Sequence, residues 1–198
     1  CDSRAVDIGN KAYEKLGEEK CMSRLLNSPG NFTASKLKWV KENEPDIYEK
    51  IYKYMLPGDY IAYKLTGEIN TTRNGLSEGI IWDYKENKTA DGLLDFYGID
   101  CSLTPEIVDN FSNQGSTNIN ASEQTGLNVG VPITYRAGDQ PNNALALNVF
   151  DDGEVAASGG TSGVIYSITN NINSKEPSRI NHFAHVNYND DSKSIGKL

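Results

Sequence analysis

The hydrophobic pattern of the chain changes at residue 131, and this change most restricts the fold. Before it, apolar residues mostly follow helical spacing. After it, "VPITYRAG" (131–138) alternates as a strand does, and "NNALALNVF" (142–150) has helical spacing. "EVAASGG" (154–160) and "GVIYSI" (163–168) predict two strands on either side of a glycine-rich turn. Strand, helix and hairpin in this order predict an α/β fold.

Composition limits the class of protein. With 198 residues, 37% of them hydrophobic and 23% charged, the chain is typical of a globular protein with one core, or one domain and part of another. The net charge of −8 argues against nucleic acid or an anionic membrane as partner, and no apolar run is long enough to span a bilayer. Cys1, Cys21 and Cys101 are widely separated, which predicts a reducing cytoplasm rather than a disulfide framework or a zinc site.

Both ends of the chain resemble cut ends. It begins at Cys1 with a helical pattern already under way, and it finishes on the polar stretch "NDDSKSIGKL". We therefore expect a piece of a longer protein. A sheet left open in this way has unpaired edges, so we also expect association into a homodimer.

Asp139 lies between the predicted strand and the predicted helix. Aspartate is a common helix cap, and spacing alone favours that interpretation. However, α/β folds bind ligands at the ends of strands, where a carboxylate could accept a proton from a substrate hydroxyl. Gln140 could then hydrogen-bond a neighbouring hydroxyl group. The residues alone leave both interpretations open.

The stretch "GGTSG" (159–163) also has two interpretations. It can be a plain hairpin turn. Alternatively, its glycines let backbone N–H groups approach a polyphosphate, with the Thr161 and Ser162 hydroxyls nearby. It is not a P-loop, because no lysine follows in the required position. His182 and His185 have no evident third ligand, so we expect a packed or solvated pair and no metal site.

Several stretches, in order along nearly the whole chain, together resemble the FGGY family of carbohydrate kinases, and within it the xylulose kinases. They are "CDSRAV", "NFTASKLKWVKENEPDIY", "LPGDYIAYKLTGE", "NASEQTGLNVGVPITYRAGDQPNNALALNV" and "ASGGTSGVIY". Several motifs in the right order are more specific than any one of them. The resemblance implies ATP-dependent phosphorylation of a ketose or polyol, above all D-xylulose, with Mg²⁺. Glycerol, ribulose and gluconate kinases remain alternatives, as does a non-catalytic actin-like binding module.

The resemblance also implies a ribonuclease H-like (actin-like ATPase) fold of two domains, with sugar and ATP meeting in the cleft between them. Residues 1–151 then form the later part of the N-terminal FGGY sugar-binding domain. Residues 152–198 form the start of the C-terminal nucleotide-binding domain. The fold is incomplete in this chain, which lacks the family's first phosphate loop and its adenosine site. We therefore expect this polypeptide alone to be inactive.

The family's functional residues carry over to particular positions. Asp139 falls on the catalytic base. Gln140 falls on a sugar-contacting position, where xylulose kinases usually carry Asn and glycerol kinases Gln. The resemblance implies further roles in binding substrate for Asp2, Arg4 and Asn31, although Asn31 departs from the usual residue, and in binding the ATP phosphates for Gly160, Thr161, Ser162 and Gly163.

Overall fold

The structure is a computed structural model, and it describes residues 2–160, 163–172 and 179–198. Its helices are α1 (Val6–Leu16), α2 (Glu18–Arg24), α3 (Thr33–Asn43), α4 (Pro45–Tyr48), α5 (Pro57–Thr66), α6 (Arg73–Glu78), α7 (Asp91–Tyr97), α8 (Ile119–Thr125) and α9 (Asp139–Ala146), with a 3₁₀ turn at Cys101–Leu103. Its strands are β1 (Asn70–Thr72), β2 (Trp82–Asp83), β3 (Lys88–Thr89), β4 (Glu106–Val108), β5 (Val155–Gly159), β6 (Gly163–Thr169), β7 (His182–Ala184) and β8 (Ile195–Lys197).

The helical part of the chain has its own hydrophobic core. Helix α7 shows why: Leu93, Leu94 and Tyr97 lie at helical spacing and are all buried. Gly98 then ends the helix in the left-handed conformation, with φ of 63°. These side chains pack around the buried Trp82 together with residues of α1, α3 and α6. The core therefore fixes the position of α6, which lines the candidate site.

The last part of the chain forms a four-stranded antiparallel sheet in the order β5-β6-β8-β7. The predicted hairpin is confirmed, with Gly159 paired to Gly163. Helix α9 packs Ala144 against this sheet in a second hydrophobic cluster. The predicted mixed α/β architecture is thus present.

Side chains of the helical part cover the outer edge of β7. Asn27 donates to the carbonyl oxygen of His182 at 2.6 Å and accepts from its N–H at 2.9 Å. Ser77 accepts from the N–H of Ala184 at 3.0 Å. The free hydrogen-bonding groups of an edge strand are in this way satisfied within the chain. The sheet is therefore held against α6.

The strand predicted at residues 131–138 is wrong, since those residues make only an isolated bridge, between Pro132 and Ser116. Ile133 faces two residues, since it donates to the carbonyl oxygen of Gly115 and accepts from the N–H of Gln114, so no regular ladder continues from the bridge. The neighbouring hydrogen bonds, such as that from Ile133 N to the carbonyl oxygen of Gly115 at 2.8 Å, join the segment to an irregular loop. Asp139 therefore follows an extended segment and not a sheet strand.

The histidine pair is packed in the interior. His185 is fully buried, with Nε2 donating to the carbonyl oxygen of Val149 at 3.0 Å and Nδ1 accepting from the Tyr166 hydroxyl at 3.2 Å. This arrangement uses the neutral ring. Burial lowers the pKa of His185, and likewise that of His182, to about 4. Protonation is thus disfavoured in the folded state.

Replacement of His185 by Gln is expected to make stability less sensitive to acid. An unfolded histidine takes up a proton near its ordinary pKa of 6.5, whereas the folded one does so only near 4. Its contribution to stability is therefore complete above pH 6.5 and falls as the pH drops toward 4, by up to about 1.4 kcal/mol per pH unit. Urea denaturation of both proteins at several pH values measures the two slopes, and equal slopes would contradict a buried neutral ring.

Candidate active site

Asp139 is the first residue of α9, and its side chain does not cap the helix. Gly138 occupies the N-cap position and no side-chain capping bond is present. Instead, Asp139 Oδ1 accepts from the backbone N–H of Gln140 at 2.8 Å, and Oδ2 lies 3.4 Å from Gln140 Nε2. The Asp139 side chain is exposed. Asp139 is therefore not the N-cap residue, although its carboxylate satisfies one N–H group of the first helical turn.

A cleft of about 280 Å³ lies beside Asp139. Three parts of the chain line it: residues 56–59 at the start of α5, residues of α6 and the preceding Thr72, and residues 136–139. Asp139 is thus open to a pocket, and is not buried against a cationic side chain. A small polar molecule placed here would meet carboxylate oxygens.

A buried ion pair forms one wall of the cleft. Arg136 Nε lies 3.0 Å from Asp59 Oδ1, and the two side chains are only 9% and 4% exposed. Arg136 also donates to Gln114 Oε1 at 3.0 Å and to Asn70 Oδ1 at 2.7 Å. Burial raises the pKa of Asp59 and lowers that of Arg136, so each charge depends on the other. This network fixes the segment that leads to Asp139.

Glu78, the last residue of α6, supplies a second carboxyl group to the cleft. Its Oε1 accepts from the backbone N–H of Gly138 at 3.1 Å. A Cβ atom at Gly138 would lie 2.0 Å from Oε1, so a side chain there would displace the Glu78 carboxylate from its present position. Burial raises the pKa of Glu78 to about 7, and the charges of Asp139 and Asp59 add to the effect.

Three of the expected sugar-binding residues lie together. Arg4 pairs with Asp2 at 2.8 Å and stacks over the Trp39 ring at 4.0 Å, and Asn31 donates to the backbone carbonyl of Asp2. The Arg4 guanidinium holds the pKa of Asp2 well below its usual range. A depression of about 50 Å³ lies beside Asp2 and Arg4. No described residue lines both this depression and the Asp139 cleft.

The hairpin between β5 and β6 is only partly described, because Thr161 and Ser162 lie outside the described residues. A Cβ atom at Gly160 or Gly163 would meet no atom within 4 Å. Local packing within this chain therefore does not require glycine at these positions.

Two features are absent from the part of the chain that the structure describes. No group of three or more histidine, cysteine, aspartate or glutamate side chains there could hold a metal ion. None of the helices there is both long and apolar enough to cross a membrane.

Two residues that matter in this cleft, Arg136 and Glu78, were not identified from the sequence. Arg136 occupies a polar position in the alternation of "VPITYRAG", where an exposed side chain is expected, so the pattern does not mark it as a buried charge. Glu78 ends a short helix in a polar stretch, where a solvated side chain is the ordinary expectation. Its contact with Gly138 joins residues sixty positions apart.

Comparison with known proteins identifies relatives along almost the whole chain. Residues 1–146 match the model of the FGGY family of carbohydrate kinases, N-terminal domain. Xylulose kinase of Staphylococcus xylosus is 32% identical over 185 residues, which is 93% of this chain but 38% of that protein. The chain thus spans well under half the length of this curated relative.

Solved structures show the same fold. Xylulose kinase from Rhodospirillum rubrum superposes with a TM-score of 0.85 at 25% identity, over 99% of this chain and 39% of that one. Glycerol kinase from Plasmodium falciparum, solved with ADP, superposes with a TM-score of 0.86 at 21% identity, over 100% of this chain and 40% of that one. The predicted ribonuclease H-like (actin-like ATPase) fold is confirmed by these neighbours.

Proposed function

The chain belongs to the FGGY family of carbohydrate kinases, and we propose that it carries the sugar-binding half of an ATP-dependent kinase active site. The proposed reaction is phosphorylation of a ketose or polyol, in the first place D-xylulose to D-xylulose 5-phosphate. The observation that carries the proposal is Asp139, exposed at the N-terminus of α9 beside a cleft. The likeness to xylulose kinases over 93% of the chain supports the choice of sugar.

Asp139 is the proposed catalytic base. As the sugar hydroxyl attacks the γ-phosphorus of ATP, its proton passes to a carboxylate oxygen of Asp139. The new O–P bond forms while the bond to the β-phosphate oxygen breaks, and ADP leaves. Asp139 already accepts a hydrogen bond from Gln140, which holds the carboxylate in place. Positioning and charge neutralisation supply most of the rate enhancement in such reactions.

Other residues have proposed binding roles. Gln140, Asp2, Arg4 and Asn31 contact the sugar, and the hairpin residues Gly160, Thr161, Ser162 and Gly163 contact the ATP phosphates. Bound Mg²⁺ would neutralise phosphate charge, and we assign it no ligand from this chain. In this scheme residues 1–151 belong to the sugar-binding domain and residues 152–198 to the nucleotide-binding domain.

We also propose a cellular location and a mode of self-association for the protein. Three separate cysteines favour the cytoplasm. Self-association into a homodimer stays a prediction. Side chains of the helical part cover the edge at β7, so in the described sheet β5 is the edge strand that is open to pairing with a second chain. A single species of monomer mass in light scattering would count against the homodimer.

The sugar is tested by ADP release. The full-length product of the gene is assayed with ATP-Mg²⁺ and a panel of D-xylulose, ribulose, glycerol and gluconate. We expect the highest kcat/KM with D-xylulose. A preference for glycerol would replace the proposed sugar but keep the reaction, and Gln140 would then be the residue to exchange for Asn. If the protein turns over none of these sugars, the result would favour the alternative of a non-catalytic actin-like binding module.

A further inference from the structure

Glu78 is the one carboxyl group of the cleft, among the described residues, that contacts the backbone entering α9. Its Oε1 accepts from the N–H of Gly138, the residue immediately before Asp139, at 3.1 Å. The absence of a side chain at Gly138 permits this contact, because a Cβ atom there would lie 2.0 Å from Oε1. The Glu78 carboxylate therefore occupies the space that a side chain at residue 138 would fill.

The helix that carries Glu78 is itself firmly held. In α6, Asn74 donates to the carbonyl oxygen of His185 at 2.6 Å, and Ser77 accepts from Ala184 N–H at 3.0 Å. Leu76 is fully buried in the helical core. Glu78 thus extends from a rigid support to a backbone amide beside the reactive carboxylate, which is how precise sites are built.

We propose that Glu78 is a positioning residue for Asp139, through a charge-assisted hydrogen bond to the N–H of Gly138. The proposal rests on the kinase function given above. It adds to that function a residue that sets the orientation of the base without touching the substrate. An ionised carboxylate makes a stronger bond to the amide than a neutral one, so the positioning weakens when Glu78 takes up a proton.

The surroundings of Glu78 raise its pKa into the neutral range, so it takes up a proton near pH 7. Asp139 on α9 and Asp59 on α5 add negative charge, and Tyr135 and Tyr166 lie close enough to interact with it. The Arg136 guanidinium is engaged with Asp59. Burial and the two carboxylates raise the pKa of Glu78 to about 7. Turnover should therefore rise as the pH passes through about 7 and Glu78 ionises.

The test compares Glu78→Gln, Glu78→Ala and the control Glu123→Gln, an exposed residue of α8, in the full-length product. Glutamine keeps an oxygen that can accept from Gly138 but carries no charge. We expect it to lower kcat about fivefold and to remove the rise near pH 7. Alanine removes the bond and should lower kcat roughly 10- to 100-fold with a smaller change in KM. The control should retain the wild-type profile.

Amide hydrogen exchange provides a readout that does not depend on turnover. Glu78→Ala should speed exchange in residues 138–146 and leave α7 unchanged. Unaltered exchange there would overturn the positioning contact, whatever the activity. A wild-type pH profile in Glu78→Gln, with normal folding, would overturn the charge-dependent role. Absence of turnover by the wild-type protein with every sugar would instead overturn the kinase function, while exchange still decides the contact.

Discussion

Replacement of Asp139 by Asn is expected to lower kcat for the sugar about 10²–10⁴-fold, which is the usual contribution of a general base. The amide has nearly the same shape and can still lie beside Gln140, but it cannot take the proton of the attacking hydroxyl. The KM for the sugar should change much less. Steady-state ADP release by the full-length product measures both constants.

The control for this variant is Asp95→Asn, an exposed aspartate of α7. It makes the same chemical change away from the cleft and should leave kcat unaltered. Thermal melting of Asp139→Asn should match the wild type closely, because the side chain is exposed and the amide oxygen of asparagine can still accept from the Gln140 N–H. If Asp139→Asn turns over at the wild-type rate, Asp139 is not the base.

Loss of either partner of the buried pair Asp59–Arg136 is expected to destabilise the chain by about 3–5 kcal/mol, because the remaining charge is left buried without its partner. Asp59→Ala leaves the Arg136 guanidinium, which is 9% exposed, without its partner. Arg136→Met leaves the Asp59 carboxylate, which is 4% exposed, without its partner. Urea denaturation of the chain gives the free energy of unfolding for each variant.

The double replacement distinguishes a paired charge from a simple loss of packing. Asp59→Ala together with Arg136→Met should cost less than the sum of the single changes, because neither charge then remains. The matched control is Glu42→Ala, which breaks the surface pair with Lys38 at 3.1 Å and should cost no more than about 1 kcal/mol. Strict additivity of the two buried changes would contradict the network.

The sequence predicted features with local causes. The helical spacing seen before residue 131 corresponds to helices in the structure, such as α7, whose Leu93, Leu94 and Tyr97 are buried. The β5–β6 hairpin follows from two alternating runs and a glycine-rich turn. In each case the cause lies within about ten residues, so the pattern alone is sufficient.

Prediction from the sequence failed where a residue's structure depends on partners far away along the chain. Residues 131–138 alternate as a strand does, but their partner is the irregular loop at residues 114–117, where Gln114 and Gly115 both face Ile133 and no regular ladder forms. Glu78 meets Gly138 and Asp59 meets Arg136 across sixty and seventy-seven positions of the chain. Such contacts depend on the tertiary fold, which single-residue preferences do not encode.

The proposed function requires Asp139 to act as the base of a sugar kinase. The most direct measurement is detection of the phosphorylated sugar by mass spectrometry, after incubation of the full-length product with ATP-Mg²⁺ and D-xylulose. We expect xylulose phosphate from the wild type and from Asp95→Asn, and at most about a hundredth of that initial rate from Asp139→Asn. Equal rates of product formation by wild type and Asp139→Asn would contradict this role of Asp139.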